Sequence, residues 1–443
     1  MSQRLHGRFV DTSGRFLMNS HDYTEQYYSL ITNRLQSLKP YLVATAKQRW
    51  PCIGTVDGPY LANLLKDVDT VNSCVIIAAI FKEMKNCPSA LDEYTGKMYK
   101  RDLNSYISED DIVYLEDYTS RIVLGGNKIN VQSFVSGLII AVLGKLEDGK
   151  FIVEDLALPG PPINMYKPLP NNNFQGYLAI ISGLELSAEN SCYNTLQMLR
   201  DIILGVCGPT EIMKNVVRLV IAGNTFKNYK FDVDLLKKAD TFLAQIAASI
   251  HIDIMPGLND PTNLNLPQQP IHPYLFEHSS RLNTFRSTTN PYTFEIEGIR
   301  FLGTSGENVK MIKMSSNLSD LESLQLAINS RCIAPTAGDT LGCYPFKQND
   351  PLNICLPMHK DEEFPHVIFA GNCDKYATGL LCDSDSLLST RASNEVTNHI
   401  SKNTFDFKQA NVRLVCVPKF VDKPSITLVK IATLETSQIL IET

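Results

Sequence analysis

The chain has 443 residues, 44% of them hydrophobic, with 41 basic against 47 acidic side chains and a formal net charge of −6. That length supplies core for two domains or more, while the acidic balance excludes a protein that holds nucleic acid through its overall field, leaving room only for a local basic stripe. No apolar segment reaches 18 residues, which predicts a soluble chain, and eleven scattered cysteines without a Cys-x-x-Cys pair predict reduced, mostly buried thiols rather than disulfides or a zinc site.

The N-terminus, MSQRLHGRFVDTSGRF, lacks the apolar core of a secretory signal, so an intracellular protein is the default expectation. Residues 22 to 38 carry Tyr27, Leu30, Ile31, Leu35 and Leu38 at helical spacing, a one-sided stripe that Pro40 is expected to end. From about residue 74 to 158 the pattern is β: Cys74 to Phe81, Asp111 to Glu116, Thr119 to Leu124, Gly137 to Leu146 and Lys150 to Leu158. Asp148-Gly149 between the last two is a strong tight-hairpin signal, because both central positions of that turn want positive φ. Five short strands with little helix suggest a small barrel of the OB type.

The Pro- and Asn-rich stretch LPGPPINMYKPLPNNNF (158 to 174) marks a linker. Strand and helix then alternate: strands at 177–182, 216–222, 251–255, 294–302, 366–370, 412–417 and 426–431, with amphipathic helices at 194–204 and 232–250. The polar segment 386–411 is expected to be a surface loop. The expected organisation is an N-terminal helical segment (1–40), an OB-fold domain (41–160), a linker (161–175) and an α/β domain (176–443).

Ligands of open α/β sheets bind beyond the carboxyl ends of the strands. Four glycine-containing turns stand there: IISGLEL (180–186), VIAGNTFK (220–227), MPGLNDP (255–261) and IFAGNCDK (368–375). Their order and spacing resemble the calcineurin-like metallophosphoesterase series of Asp-x-His, Gly-Asp-x-x-Asp/Asn, Gly-Asn-His-Asp/Glu and Gly-His-x-His. That chemistry needs carboxylates and imidazoles around two metals about 3.5–4 Å apart. This chain instead places Gly183 and Glu185 in the first turn, Asn224 and Lys227 in the second, Leu258 and Asn259 before the matching Asp260 in the third, and Asn372 and Asp374 in the fourth. None of the eight histidines falls on the set. Two divalent cations would lack the anions that offset their desolvation, so the site is expected to hold no catalytic residue, metal or cofactor. Ordinary Gly-containing loops are the plain alternative; four in order favour a degenerate phosphoesterase.

Longer stretches narrow the resemblance. PGLNDPTNLNLPQQPIHPYLF (256–276), GIRFLGTSGENV (298–309), RCIAPTAGDTLGCYPF (331–346) and HVIFAGN (366–372) are similar to the family of B-subunits, the second or small subunits, of DNA polymerase delta. CVIIAAIFKEMKNCPSALDEY (74–94) and GLIIAVLGKLEDGKFIVEDLALPG (137–160) are similar to that family's OB domain. The resemblance implies an OB barrel packed on an inactivated phosphoesterase α/β sandwich. It also implies a nuclear accessory subunit in replication and repair synthesis, with no polymerase or nuclease activity of its own. The implied partners are the cysteine-rich C-terminal domain of the catalytic subunit, a third subunit and, through it, the sliding clamp; sharing with a translesion polymerase is a family expectation. Two other readings stand beside it: an active metal-dependent phosphodiesterase or 3′ nuclease like archaeal small subunits, and an OB-type single-strand DNA binder.

Individual residues carry paired expectations. Asp260 and Asp374 either hold one residual metal or, preferably, accept backbone hydrogen bonds. Lys227 is either a surface residue or a partner of Asp260. Phe81, Tyr114, Tyr118 and Phe134 could stack on single-stranded DNA, but neighbouring acids favour core packing and at most auxiliary DNA contact. Cys343 has no base nearby in sequence, so its loop suits packing or a subunit contact. His366 suits a satisfied structural histidine.

Overall fold

The computed structural model describes residues 4–18, 24, 26–88, 105–161, 173–187, 193–227, 233–347, 350–354, 364–381 and 412–441. In chain order, β1 (Phe9–Asp11) precedes the long helix α1 (Tyr28–Arg49). Six strands follow: β2 (Tyr60–Leu61), β3 (Cys74–Glu83), β4 (Ile112–Glu116), β5 (Arg121–Gly125), β6 (Ile139–Glu147) and β7 (Lys150–Ala157). The second half runs β8 (Tyr177–Ile181), α2 (Tyr193–Leu204), α3 (Thr210–Lys214), β9 (Val216–Ala222), α4 (Val233–Ala247), β10 (His251–Met255), β11 (Phe285–Ser287), β12 (Tyr292–Ile296) and β13 (Ile299–Thr304). It ends with α5 (Glu307–Ser315), α6 (Asp320–Asn329), β14 (Val367–Cys373), β15 (Ala377–Leu380), β16 (Arg413–Pro418), β17 (Ser425–Lys430) and β18 (Thr436–Leu440).

The first six strands after α1 form one sheet in the order β2-β3-β4-β5-β7-β6, closed by β3 pairing with β6. Closure removes the open edges that a small sheet would otherwise expose. Asp148 and Gly149 both have positive φ, 48° and 77°, and join Glu147 directly to Lys150, the tight hairpin their sequence predicts. Ile76, Ile140, Phe134, Phe151 and Val153 fill the barrel.

The remaining strands make a two-sheet sandwich, β11-β10-β9-β8-β17-β18 facing β1-β12-β13-β14-β16-β15. Alternation along the central strands explains the layering. Leu178 and Ile180 point between the sheets toward Phe301, Phe369 and Val415, whereas Ala179 and Ile181 point outward under α2 and α4. The outer face of the second sheet is covered by Val309 of α5 with Leu324 and Ile328 of α6.

Those two helices also join barrel to sandwich. Ile312, Leu318, Leu326 and Ala327 enter the barrel core, and Lys82 on β3 donates from Nζ to the Ser315 carbonyl at 2.7 Å, capping the end of α5. A buried ammonium at a helix C-terminus meets the negative end of its dipole. Asp111, 3.4 Å from the same Nζ, supplies the counter-charge.

Three expectations need correction. Pro40 does not end the first helix, so the boundary expected at residues 40 and 41 falls inside α1. Proline removes one N–H, and the carbonyl it would have served, that of Gln36, lies on the exposed face. Meanwhile Leu30, Arg34, Leu38, Leu42 and Ala46 keep a buried stripe at four-residue spacing across the proline. Secondly, 294–302 is not one strand but the hairpin of β12 and β13, turned at Glu297-Gly298, both with positive φ. Thirdly, α5 and α6 are helices where the sequence pattern predicts none. Residues 162–172 of the expected linker and 382–411, which include the expected surface loop, lie outside the described residues.

Candidate functional site

The four turns meet at the carboxyl end of the sandwich. Gly183 N donates to Gly223 O at 2.9 Å and Glu185 N to Asn224 O at 3.0 Å, zipping the first turn to the second. Glu185, Asn224 and Asn372 are non-glycine residues in the left-handed region, with φ of 44°, 50° and 51°. Such conformations are uncommon outside glycine and cluster at the functional ends of folds. Backbone meets backbone beneath them: a Cβ on Gly306 would lie 1.8 Å from Gly371 O, and one on Gly371 would lie 2.3 Å from Ala222 O.

Asp260 is fully buried and accepts from the backbone N–H groups of Gly257 (2.8 Å), Phe226 (2.9 Å) and Thr225 (3.2 Å). Burial raises its pKa to about 6, opposed by those N–H groups. Its carboxylate is thus the tie between the second and third turns. Asn259 N donates to Asn224 Oδ1 at 3.4 Å, and Leu258 lies half-exposed at the mouth of the cleft.

Asn372 occupies the centre. Its Nδ2 donates to Ser305 O at 2.8 Å and to Ala222 O at 3.3 Å, and its backbone N donates to Ser182 Oγ at 2.9 Å. An amide therefore holds together the ends of β9, β13 and β14. Lys419 pairs with Glu185 at 3.2 Å.

Two residues named from the sequence stand outside this arrangement. Lys227 is exposed while Asp260 is enclosed by backbone donors, so it is not the partner of that carboxylate. Asp374 is mostly exposed and forms an ion pair with Lys313, which also pairs with Asp320 at 3.1 Å. Asp374 is therefore a rim residue held by a side-chain cation, not a backbone cap.

One residue of the site is not among the sequence candidates, although it lies within the GTSGENV stretch. Glu307 opens α5 beside Ser305 and Leu258, with Oε2 accepting from Asn290 Nδ2 at 3.5 Å and Oε1 sealed from solvent and without a hydrogen-bond donor. Burial, the dominant cause, and the Asp260 charge push its pKa up to about 7. Behind it Asn290 donates to Gln268 Oε1 (2.7 Å) and Ser305 Oγ (2.6 Å), and Gln268 donates to Gly257 O (3.1 Å). The LPQQP and GTSGENV stretches are thus the two halves of one buried polar network.

The resulting cleft, about 150 Å³, has Asn224, Glu307, Lys310, Lys313, Asp320, Asn372, Asp374 and Lys419 among its polar lining. Of its carboxyl groups Asp320 and Asp374 are paired with Lys313 and Glu307 is buried with a raised pKa, and the rest of the polar wall is amide and ammonium, poor company for two divalent cations. Among the described residues no three His, Cys, Asp or Glu side chains are grouped to hold a metal.

Other expectations resolve separately. Phe134 is core, fully buried. Phe81 and Tyr114 are not core: they face each other across β3 and β4 with Arg121 over both rings, 4.2 and 5.4 Å from the centroids. Arg121 pairs with Glu116 and the Tyr114 hydroxyl donates to Glu83, so the surface supplies its own cation and acids; Tyr118 lies exposed beside it. The Cys343 loop is packed inside the molecule: Tyr27 Oη donates to Cys343 O at 2.9 Å, and burial raises the thiol to about 12. His366 Nδ1 accepts from Arg300 N at 3.0 Å, and burial with the nearby Arg300 lowers its pKa to about 4, so the ring is neutral.

A closed OB barrel joined through a helix pair to a phosphoesterase-like sandwich defines the B-subunit class of accessory proteins in DNA polymerase complexes. A family model for the B-subunit of DNA polymerases alpha and epsilon matches residues 178–378, and one described as DNA polymerase delta subunit OB-fold domain matches residues 26–156. The chain is 33% identical to the DNA polymerase delta small subunit of Arabidopsis thaliana, over 98% of this chain and 96% of the relative. It is 31% identical to DNA polymerase delta subunit 2 of Drosophila melanogaster (98% and 97%) and 28% identical to the delta small subunit of Saccharomyces cerevisiae (95% and 90%). The chain belongs to the DNA polymerase delta small-subunit family.

Proposed function

We propose that this chain is a non-catalytic scaffold of the delta holoenzyme. It bridges the cysteine-rich C-terminal domain of the catalytic subunit and the third subunit, and acts in nuclear replication and repair synthesis. One observation carries the non-catalytic part: the Asn372 amide sits where the strand ends converge and donates to two backbone carbonyls. The phosphoesterase pattern has a histidine ligand there, and an amide whose Nδ2 donates to two backbone carbonyls serves to close the cleft instead. The interlocking of Gly306 with Gly371 and Gly371 with Ala222 supports the same reading, because it leaves backbone rather than ligand side chains at the floor. What the fold keeps is a rigid surface, stiffened by α1 and by the α5–α6 pair that spans barrel and sandwich.

Co-expression with the cysteine-rich C-terminal region of a delta catalytic subunit tests the scaffold role, and the expected result is a stable complex through size exclusion. In parallel the purified chain is incubated with single-stranded DNA and Mn²⁺. Cleavage that disappears in Asp260→Asn, with no complex formed, would replace this reading by the nuclease one.

A further inference from the structure

The relic cleft is not the only concave feature at the carboxyl end of the strands. α2 and α4, which follow β8 and β9, lie side by side on the outer face of the sandwich, and between them runs a groove of about 470 Å³. It begins at Leu186 and Ser187, directly beyond Glu185.

The groove has an apolar floor and a cationic rim. Leu196, Leu235 and Phe242 line the floor, and Tyr193, 64% exposed, stands at the start of α2. Arg200, Lys237 and Lys238 form the rim, and no carboxylate lines the groove among the described residues. Arg200 is held in place by Asp201 at 2.9 Å and by its Nη1 donating to Gln245 Oε1 at 3.1 Å, a link across the two helices. Lys237 and Lys238 are exposed and make no ion pair among the described residues. Asp240 of α4 is turned away, accepting from the backbone N–H groups of His278 and Ser279; Asp234 stands in the first turn of that helix. Arg200 is compensated by Asp201, so the unpaired positive charge at the rim is that of Lys237 and Lys238, beside an apolar trough that no carboxylate lines among the described residues, in a chain with a net charge of −6.

We propose that this groove docks an acidic amphipathic segment of a partner protein. Apolar side chains at helical spacing would cover Leu196, Leu235 and Phe242, while flanking Glu or Asp residues would face Arg200, Lys237 and Lys238. Helix-in-groove recognition joins these elements, an apolar trough for affinity and rim charge for encounter and register. Single-stranded nucleic acid fits less well, because the floor is built mainly from aliphatic side chains and offers no ladder of rings for successive bases. The surface lies on helices remote in the sheet order from the barrel and α1, and the inference does not depend on which subunits the chain bridges.

Fluorescence anisotropy on the full chain tests this. The probe is a labelled eighteen-residue model helix with leucines on one face and glutamates on the flanks, compared with the same helix carrying lysines for glutamates. At low salt the acidic helix is expected to bind at least about tenfold more tightly than the basic one, and to weaken near 0.3 M NaCl. The double substitution Lys237→Glu, Lys238→Glu should weaken it by about tenfold or more, and Tyr193→Ala by about fivefold, without moving the melting temperature, since all three side chains are exposed. Lys145→Glu on the barrel serves as the control and should change nothing. Equal affinity for both helices, no binding of the acidic one, or insensitivity to the lysine reversal would overturn the proposal. So would displacement of the probe by oligo-dT at matching concentration, or loss of a homodimer in the Lys237→Glu, Lys238→Glu variant, which would assign the groove to nucleic acid or to a second copy.

Discussion

Arg34 Nε and Asp350 Oδ2 lie 2.7 Å apart with neither side chain exposed. The pair fastens α1 to the segment after the Cys343 loop, and Arg34 Nη1 adds a bond to Pro335 O at 3.0 Å. Leu30, one turn earlier on the helix, packs with Ala334, Ala337, Cys343 and Leu352, while Leu38 and Leu42, further along, pack on Val75, Ile77 and Ile139 of the barrel. A single stripe of α1 therefore clamps barrel and sandwich together.

Removing one partner of a buried ion pair leaves the other charge desolvated, a loss of about 3–5 kcal/mol. Arg34→Ala should accordingly lower the unfolding free energy measured by urea titration by that order. Arg34→Met combined with Asp350→Leu should recover most of the loss, because two apolar side chains of similar volume remove both desolvation costs. If Arg34→Ala changes stability by less than about 1 kcal/mol, the clamp is not energetically important.

Glu307 gives a pH dependence with a definite sign. Folding raises its pKa from the ordinary value of 4.5 to about 7, so the folded state binds the proton more tightly than the unfolded state. The associated stability is fully present below about pH 4.5 and is lost as pH rises through 7. Glu307→Gln, which keeps the neutral shape, should be more stable than the parent at pH 8 by up to about 3 kcal/mol, the advantage shrinking to nothing near pH 4. Parallel thermal melts across that range decide it, and a pH-independent difference would remove the carboxyl from the explanation.

Gly306 has φ of 93°, and its missing side chain would collide with Gly371 O at 1.8 Å. Gly306→Ala combines a left-handed backbone with a contact that only movement of β14 can relieve, so it should cost more than the ~1 kcal/mol of an ordinary left-handed glycine, about 2–4 kcal/mol. Gly149→Ala, also at positive φ but with nothing within 4 Å, isolates the backbone share. Equal losses in the two variants would mean that the close approach of the strand ends contributes nothing.

Much of this architecture is legible in the sequence where one local requirement dominates. Asp148-Gly149 announces its hairpin because few other pairs tolerate two positive φ values in succession, yet Glu297-Gly298, with the same geometry, is hidden because Glu is not a turn-forming residue by type. The α5–α6 pair is hidden for another reason: its apolar residues serve two cores. Val309 and Ile312, or Ile328 and Leu326, point to different layers, which blurs a one-sided helical period. Only the capping box of Ser319 and Glu322 signals a helix start. In the cleft, glycines at the strand ends mark the four turns. That Asp260 is buried and Asp374 exposed depends on which loop closes over which, and no spacing rule encodes it.

Asn372→Asp sharpens the reading of the cleft itself. At this position the calcineurin-like pattern has histidine, and a naive view is that any anion moves the site back toward metal binding. The geometry argues the reverse: Nδ2 is the group that donates to Ser305 O and Ala222 O, and a carboxylate there faces two carbonyl oxygens with no proton to offer. The expected cost is about 2–4 kcal/mol, two lost hydrogen bonds plus a poorly solvated charge, and it should grow as the pH rises because protonation of the new carboxyl restores one donor. Lys419 and Lys310 on the same wall oppose a divalent cation, so isothermal titration with Mn²⁺ should show no added binding in the variant relative to the parent. A stable Asn372→Asp protein that binds Mn²⁺ would mean that the amide is not what holds the three strand ends together.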